Sequence, residues 1–378
     1  MISEDFFESI QNHFNSELPF VVYRKPNEAE IKALLQNDDR FHSVKDFSET
    51  GFVFAPFDTD EDTVLIPFNQ SNYITSSAVI PAWSLSEVEM NAGIHSITIK
   101  DSSEAKEHHT NLVKKAIEKI NSGALDKVVV SRKESITLHE TNPLNTFKRL
   151  LEAYPTAFVY CWYHPKVGLW LGASPETLLR VEGNQFTTMA LAGTKDYNGD
   201  LDVVWGQKEK DEHQLVVDFI VDNLNAFCYE AKTFETETVK AGNILHLKTK
   251  IIGKFSVELK DILKELHPTP AVCGQPKEEA KEFILENENY KREFYTGFLG
   301  ELNLIHKINR NPNRRNLENN AYSTVKKVSN LYVNLRCMQL RSEQAIIYVG
   351  GGITKDSIEE DEWEETVSKT KVMKKVLQ

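Results

Sequence analysis

The sequence predicts an α+β fold: a single large domain of two packed, mainly antiparallel sheets with outer helices. Three observations lead there. Short apolar runs between Ala157 and Met189 are separated by turn residues at His164-Pro165-Lys166 and Glu182-Gly183-Asn184, the spacing of antiparallel hairpins. Segments of helical periodicity fall between groups of strands and do not alternate with single strands, which argues against a doubly wound sheet. No Pro/Ser/Gly-rich linker, repeat or low-complexity tract divides the 378 residues.

The elements follow in order. Asp101 to Asn121 reads as a helix: Asp101 can cap it with Glu104 three residues on, and Leu112, Val113, Ala116, Ile117 and Ile120 form its apolar stripe. Gly123 ends it, and a strand from Lys127 to Ser131 follows at once. After the hairpins a long helix runs from about Lys208 to Tyr229, turning Val216, Phe219, Ile220, Leu224 and Phe227 to the core. Shorter helices are expected near Ser256–Leu266 and Pro276–Glu288, the second with proline at its start. Strands resume near Val333 and Ala345, and an acidic helix closes the sequence. The stretch from Lys307 to Asn330 is polar, basic and rich in asparagine, and reads as an inserted loop.

Composition narrows the function. A net charge of -12 argues against nucleic acid or an anionic membrane as partner. It does not exclude an anionic small molecule, because salt screens exposed charges beyond about 8 Å and local cations decide such binding. The longest apolar runs, such as Ala157 to Tyr163, are too short to span a bilayer. The acidic start Met1-Ile2-Ser3-Glu4-Asp5 lacks the order of a signal peptide, and the four cysteines show no metal-ligand spacing. These features lead us to expect a reduced, cytoplasmic protein.

Arg336 to Lys369 is the most informative stretch. An apolar strand ends in Tyr348-Val349-Gly350-Gly351-Gly352-Ile353, and an acidic helix follows with Glu362, Glu365 and Lys369 on one face. Glycines let a backbone pass close to a ligand and offer bare N–H groups to an anion. Taken singly, the triplet reads as a tight turn, and Glu365 with Lys369 as a surface helix pair.

Together the pattern resembles the C-terminal signature of the chorismate-utilising enzymes, Arg, strand, Gly-x-Gly-Ile, Glu-x-x-Glu-Thr-x-x-Lys. That family includes the isochorismate, salicylate, anthranilate and aminodeoxychorismate synthases. Further segments match in order: Leu125-Asp126-Lys127-Val128-Val129-Val130-Ser131-Arg132, Gly172-Ala173-Ser174-Pro175-Glu176-Thr177, Ala190-Leu191-Ala192-Gly193-Thr194, Lys210-Asp211-Glu212-His213, Leu245-His246-Leu247 and Leu266-His267-Pro268-Thr269-Pro270. The resemblance covers Lys106 to Gln378 and implies the fold of the anthranilate synthase component I-like enzymes. In it residues 1–378 form one chorismate-binding domain, 1–100 a variable part of the same fold, and 106–378 the core with its insertion near 307–330.

What the resemblance implies for the site is carried residue by residue. Lys127 lies where the water-using members carry their general base, and Glu176 matches the general acid. Glu212 and Glu365 match two ligands of Mg²⁺, with Glu362 placed to help. Arg336, Tyr295, Lys369 and the backbone of Gly350 and Gly351 match positions that hold substrate carboxylates. Gly193 and Thr194 match a binding turn, and His246 a histidine near the leaving hydroxyl, although a satisfied core histidine is an open alternative. The other histidines, His108 and His109 among them, lack ligand spacing and read as surface residues.

The aminating members usually carry Gln at the Lys127 position, and the aminodeoxychorismate branch a lysine at Ala192. Lys127 with Ala192 therefore implies water as nucleophile, and no amidotransferase partner. Conversion of chorismate to isochorismate, for menaquinone or a catechol siderophore, is the leading expectation, by a protein acting as a monomer. Salicylate formation with loss of pyruvate, an aminating subunit and a non-catalytic binder are the alternatives.

Overall fold

Segments apolar at consecutive positions become strands buried on both faces. Along Phe158–His164, Phe158, Tyr160 and Trp162 enter one core while Val159 and Cys161 enter another. Along Phe20–Arg24, Val21 and Tyr23 divide from Phe20 and Val22 in the same way. The structure is a computed structural model that describes residues 4–77, 102–138, 142–225, 227–241, 244–308 and 324–377.

Two large sheets make up the architecture, as the pattern of hairpins and intervening helices predicts. Sheet one runs in the order Gly274–Gln275, Lys127–Thr137, Gln344–Ile353, Cys337–Arg341, Gly168–Ser174, Phe158–His164, Phe20–Arg24, Glu30–Gln36, Ser71–Ser77. Sheet two runs Cys228–Thr233, Ile244–Phe255, Gln185–Asp196, Thr177–Glu182, Thr324–Val333, Phe298–Ile308, Gly51–Ala55, Val64–Pro67, His42–Ser43. Neighbouring strands pair antiparallel throughout, from Phe20↔Leu35 to Ile353↔Val128.

The inner faces meet in an aromatic core: Phe54 packs against Trp162 at 5.0 Å, and Phe158 stacks on Tyr332 at 4.1 Å. Helices Glu4–Asn15 and Pro143–Ala153 cover the outer face of sheet one; Gln207–Asn225 and Leu259–Leu266 cover that of sheet two. Ser102–Asn121 and Lys277–Asn287 pack on the Lys127–Thr137 end, and Leu112, Val113, Ala116 and Ile120 are buried as their spacing predicts. Asp101, the expected cap of that helix, lies outside the described residues.

Several boundaries differ from expectation. The long helix stops at Asn225, and Tyr229 sits in the strand Cys228–Thr233, because the local β pairing to Ile244–Phe255 takes over. Of the stretch read as an inserted loop, 309–323 lies outside the described residues. Its flanks are strand: Thr324–Val333 pairs with Phe298–Ile308 as far as Ile308↔Thr324. The N-terminal part, which shows no motif, supplies strands to both sheets. His109, His164, His213 and His267 are buried, not on the surface. His109 packs edge-on to Trp363 at 5.8 Å, and burial, helped by Arg132, lowers its pKa to about 4.

One buried charge ties the sheets together. Glu301 of sheet two accepts from Tyr23 Oη at 2.8 Å and Lys32 Nζ at 3.2 Å in sheet one, from Lys25 Nζ at 3.4 Å, and from Asn330 Nδ2 at 2.8 Å. Burial opposes its charge, but Lys25, Lys32, Tyr23 and Asn330 prevail and hold its pKa near 2. That stabilisation is present above the ordinary carboxylate range and is lost as pH falls towards 2. Replacing Glu301 by Ala strands two ammonium groups without their shared carboxylate and should cost about 3–5 kcal/mol in urea denaturation. Glu301→Gln, which keeps the shape, should cost less and should remove this acid-dependent component from the stability–pH curve.

Candidate active site

Two neighbouring links carry the chain from sheet to sheet, and each delivers a functional side chain. Ser174 ends a strand of sheet one, Pro175 and Glu176 make the crossing, and Thr177 begins a strand of sheet two. Val333 ends a strand of sheet two, Arg336 lies in the return crossing, and Cys337 begins a strand of sheet one. The links are tied together: Val333 N donates to Glu176 O at 3.1 Å, Ser174 Oγ to Val333 O, and Ala173 N to Arg336 O at 3.1 Å. Arg336 takes a left-handed backbone (φ 49°), a conformation costly for arginine that the surrounding bonds enforce.

These links border a cleft of about 870 Å³, open mouth included. Its walls come from both sheets: Val129, Tyr348, Gly350 and Gly352 from one, Leu191, Gly193, Thr194 and His246 from the other. Glu212, Glu365 and Lys369 reach in from helices. At Gly193 the strand takes one extra residue relative to its partner, between Ala192↔Leu247 and Lys195↔Leu245. Gly193 has φ +71°, and this bulge turns its carbonyl to accept from His246 Nδ1 at 2.7 Å. His246 Nε2 accepts from Arg336 at 2.9 Å, so both ring nitrogens are engaged. Burial and the adjacent Arg336 push its pKa down to about 3, which keeps the ring neutral. Burial also lowers Arg336 to about 10, still cationic near neutrality.

Glu176 is 3% exposed, and burial raises its pKa to about 8 against an opposing pull from Lys127. A carboxyl in that state can donate a proton near neutral pH. Glu212 takes the opposite course. Burial would raise it, but Lys127, Lys369 and Lys208 overcome that and hold it ionised. Lys127, 1% exposed, lies beneath the cleft wall with its Nζ 2.8 Å from Glu212 Oε1.

The glycine triplet is the end of a strand, not the turn expected after one: Gly350, Gly351 and Gly352 pair with Ser131, Val130 and Val129. In an antiparallel ladder the main-chain groups of alternate residues turn away from the partner. The Gly350 carbonyl is one such group and accepts from Lys369 Nζ at 2.9 Å. The absence of side chains makes room for charge: a Cβ on Gly352 would lie 2.5 Å from Glu212 Oε1 and 2.9 Å from Lys127 Cε. On Gly351 it would lie 3.3 Å from Glu362 Oε2 and 3.9 Å from Glu365 Oε1.

Above the triplet lies the acidic helix Glu359–Lys374, pinned by Arg132. Arg132 Nε donates to Thr366 Oγ1 at 2.7 Å, and its guanidinium lies 4.4 Å from the centre of the Trp363 ring. Glu365 pairs with Lys369 at 2.6 Å and Glu362 with Lys208 at 3.0 Å. Glu362 is raised by burial and by Glu365, with Ser357 and Lys208 pulling back, and its buried Oε2 has no hydrogen-bond partner.

The predicted residues therefore gather. Glu176, Gly193, Thr194, Glu212, His246, Tyr295, Arg336, Gly350, Glu365 and Lys369 line the cleft, while Lys127, Gly351 and Glu362 stand behind it. Tyr295 is fixed by stacking on Tyr348 at 5.5 Å. Among the described residues no three carboxylate, imidazole or thiolate groups form a ready-made metal cage. The donor set nonetheless suits a hard divalent cation, with an orphaned carboxylate oxygen and a cradle that a Cβ would fill. Sequence reasoning missed Lys208 and the wall residues Leu191, Thr296 and Met373. Lys208 precedes Glu212 by one helical turn, a spacing that could have flagged it.

Residues 69–307 match one family model described as chorismate binding enzyme, and residues 321–375 match a second with the same description. The chain is 29% identical over 309 residues to isochorismate synthase DhbC of Bacillus subtilis, covering 76% of this chain and 71% of that one. It is 26% identical over 292 residues to anthranilate synthase component 1 of Aquifex aeolicus, covering 72% and 53%. The chain thus spans about half the length of that relative, as it does of another from Aeromonas hydrophila. In fold it is similar to MenF, the menaquinone-specific isochorismate synthase from Escherichia coli. The TM-score is 0.71 at 22% identity, covering 95% of this chain and 89% of that one.

The glycine contacts give a ranked expectation. Gly350→Ala meets the Val130 carbonyl at 2.8 Å and Gly352→Ala meets the Lys127–Glu212 pair, so each should cost about 1–3 kcal/mol in chemical denaturation. Gly351→Ala has more room and should cost less than either.

Proposed function

The chain belongs to the chorismate-binding enzymes, and from that footing we propose that it converts chorismate reversibly to isochorismate, with water as the nucleophile. The observation that carries this reading is a pair of buried carboxylates near Lys127 that take opposite charge states. Glu176 is kept protonated by burial, Glu212 is kept ionised by lysines, and a hydroxyl transposition needs a proton donor and an activated water together.

In this reading the protonated Glu176 gives its proton to the C4 hydroxyl as it leaves. Lys127, once its tie to Glu212 is released and its ammonium has given up a proton to solvent, takes as a neutral amine a proton from the water that attacks C2. Arg336, Tyr295 and Lys369 hold the substrate carboxylates, with Arg336 suited to a two-point clamp. Neutral His246 is held by Gly193 O and serves to orient Arg336. Mg²⁺ would be held by Glu212 and Glu365 with the free oxygen of Glu362; when bound it neutralises a substrate carboxylate and offsets the charge of Glu212. The product would feed menaquinone or catechol siderophore synthesis. The protein is proposed to act in the cytoplasm as a monomer without an amidotransferase.

Purified protein incubated with chorismate and Mg²⁺ should approach a mixture of chorismate and isochorismate, and EDTA should stop it. Salicylate with pyruvate would assign the sister activity, and turnover only with ammonia an aminating one. Lys127→Ala and Glu176→Gln should each lower kcat by at least about 10²-fold with folding retained. Because Glu176 acts in its protonated form, kcat should fall as pH rises through about 8.

A further inference from the structure

Each of the three carboxylates beside the glycine strand is in direct contact with one lysine, and Lys208 also acts on Glu212 and Glu365 through space, but the lysines are held differently. Lys127 is buried against Glu212, and Lys369 is shared between Glu365 and the Gly350 carbonyl. Lys208 stands in the first turn of Gln207–Asn225 with its side chain 41% exposed, and among the described residues its one hydrogen bond is to Glu362, at 3.0 Å. Glu362 is the converse: its side chain is 2% exposed, Oε1 is taken by Lys208, Ser357 adds a further pull on the carboxylate, and Oε2 is buried without a hydrogen bond of its own. That orphaned oxygen borders the space left by Gly351, with Glu365 Oε1 on the same space.

We propose that Lys208 is a tethered counter-ion that neutralises Glu362 from the solvent side and competes with a divalent cation for it. This rests on the metal reading of the preceding subsection. A buried carboxylate with no opposite charge is costly, and the pair with Lys208 offsets that cost. A divalent cation on the free side of Glu362 repels an ammonium on the other, and one of the two must give way. Lys208 is able to: its head is strongly hydrated and its four-carbon stem is flexible, so it can withdraw into water once a cation neutralises Glu362 in its place. The cluster's affinity for metal is thereby held below what its carboxylates alone would provide. Full occupancy then leans on the further oxygens of an anionic substrate, a coupling in which each ligand strengthens the other.

Titration of the intact protein with Mn²⁺, followed by electron paramagnetic resonance of the free ion, tests this without any turnover. Lys208→Met should bind Mn²⁺ about tenfold more tightly than wild type, and Lys208→Arg about as weakly as wild type. In a Glu362→Gln background, where the contested oxygen is gone, Lys208→Met should change the affinity by less than about twofold. Unchanged or weaker binding by Lys208→Met, with the fold verified by circular dichroism, would overturn the competition while leaving the metal reading intact. Equal tightening in both backgrounds would show a general charge effect and would also overturn it. A wild-type protein that binds no Mn²⁺ at millimolar concentration would remove both readings.

Discussion

The cleft depends on two chain crossings being held side by side. Ser174 to Thr177 and Val333 to Cys337 carry the backbone in opposite directions between the sheets, and their main-chain groups bond to each other. Neither link could sit between two apolar sheets alone, because its peptide groups would lose water without replacing it. Paired, they bond to each other, and a polar gap opens beside the aromatic core. Glu176 and Arg336 are simply the side chains those links carry, so acid and cation are set at a fixed separation by backbone bonding and not by their own flexible stems.

Electrostatics inside the gap divides chemically identical groups. Glu176 and Glu212 are both carboxylates close to Lys127, yet burial wins at the first and lysines at the second. The difference lies in contact: Glu212 is hydrogen-bonded to Lys127, whereas Glu176 feels it only through space. His246 follows the same logic with the sign reversed, since burial and the neighbouring Arg336 both favour the uncharged ring. The glycine strand makes this density of charge feasible, because a side chain at Gly352 would occupy the volume of the Glu212–Lys127 contact and one at Gly351 would crowd Glu362 and Glu365.

Much of this was legible in the sequence where period and punctuation agree. The helix Ser102–Asn121 shows its buried stripe and its terminating Gly123, and the hairpins of Phe158–Glu182 show theirs. The site residues were legible as spaced motifs matched to a family. What escaped are properties of pairing over long range. Glycines read as a turn when taken locally, but Lys127–Thr137 continues the ladder through them. Tyr229 continues a helical pattern, but the edge of sheet two recruits it. His109 and His164 carry no local sign of burial, since distant segments pack on them: Trp363 on His109, and Arg40 and Phe41 on His164. Lys208 looked like one more charge on a charged helix until Glu362 was brought opposite it.

The ladder between Lys127–Thr137 and Gln344–Ile353 has a consequence for how the protein comes into being. It joins a strand from the first half of the chain to one near its end, and the helix that completes the site follows later still. During synthesis Lys127 waits for its partner strand while most of the remaining sequence is made. Closing so long a loop is slow and entropically costly, so this pairing belongs among the late steps of folding. A chain released early would carry the proposed acid and base on separate, unassembled surfaces. It would be inert towards substrate, and its unpaired Lys127 strand would present an open edge to proteases and to aggregation.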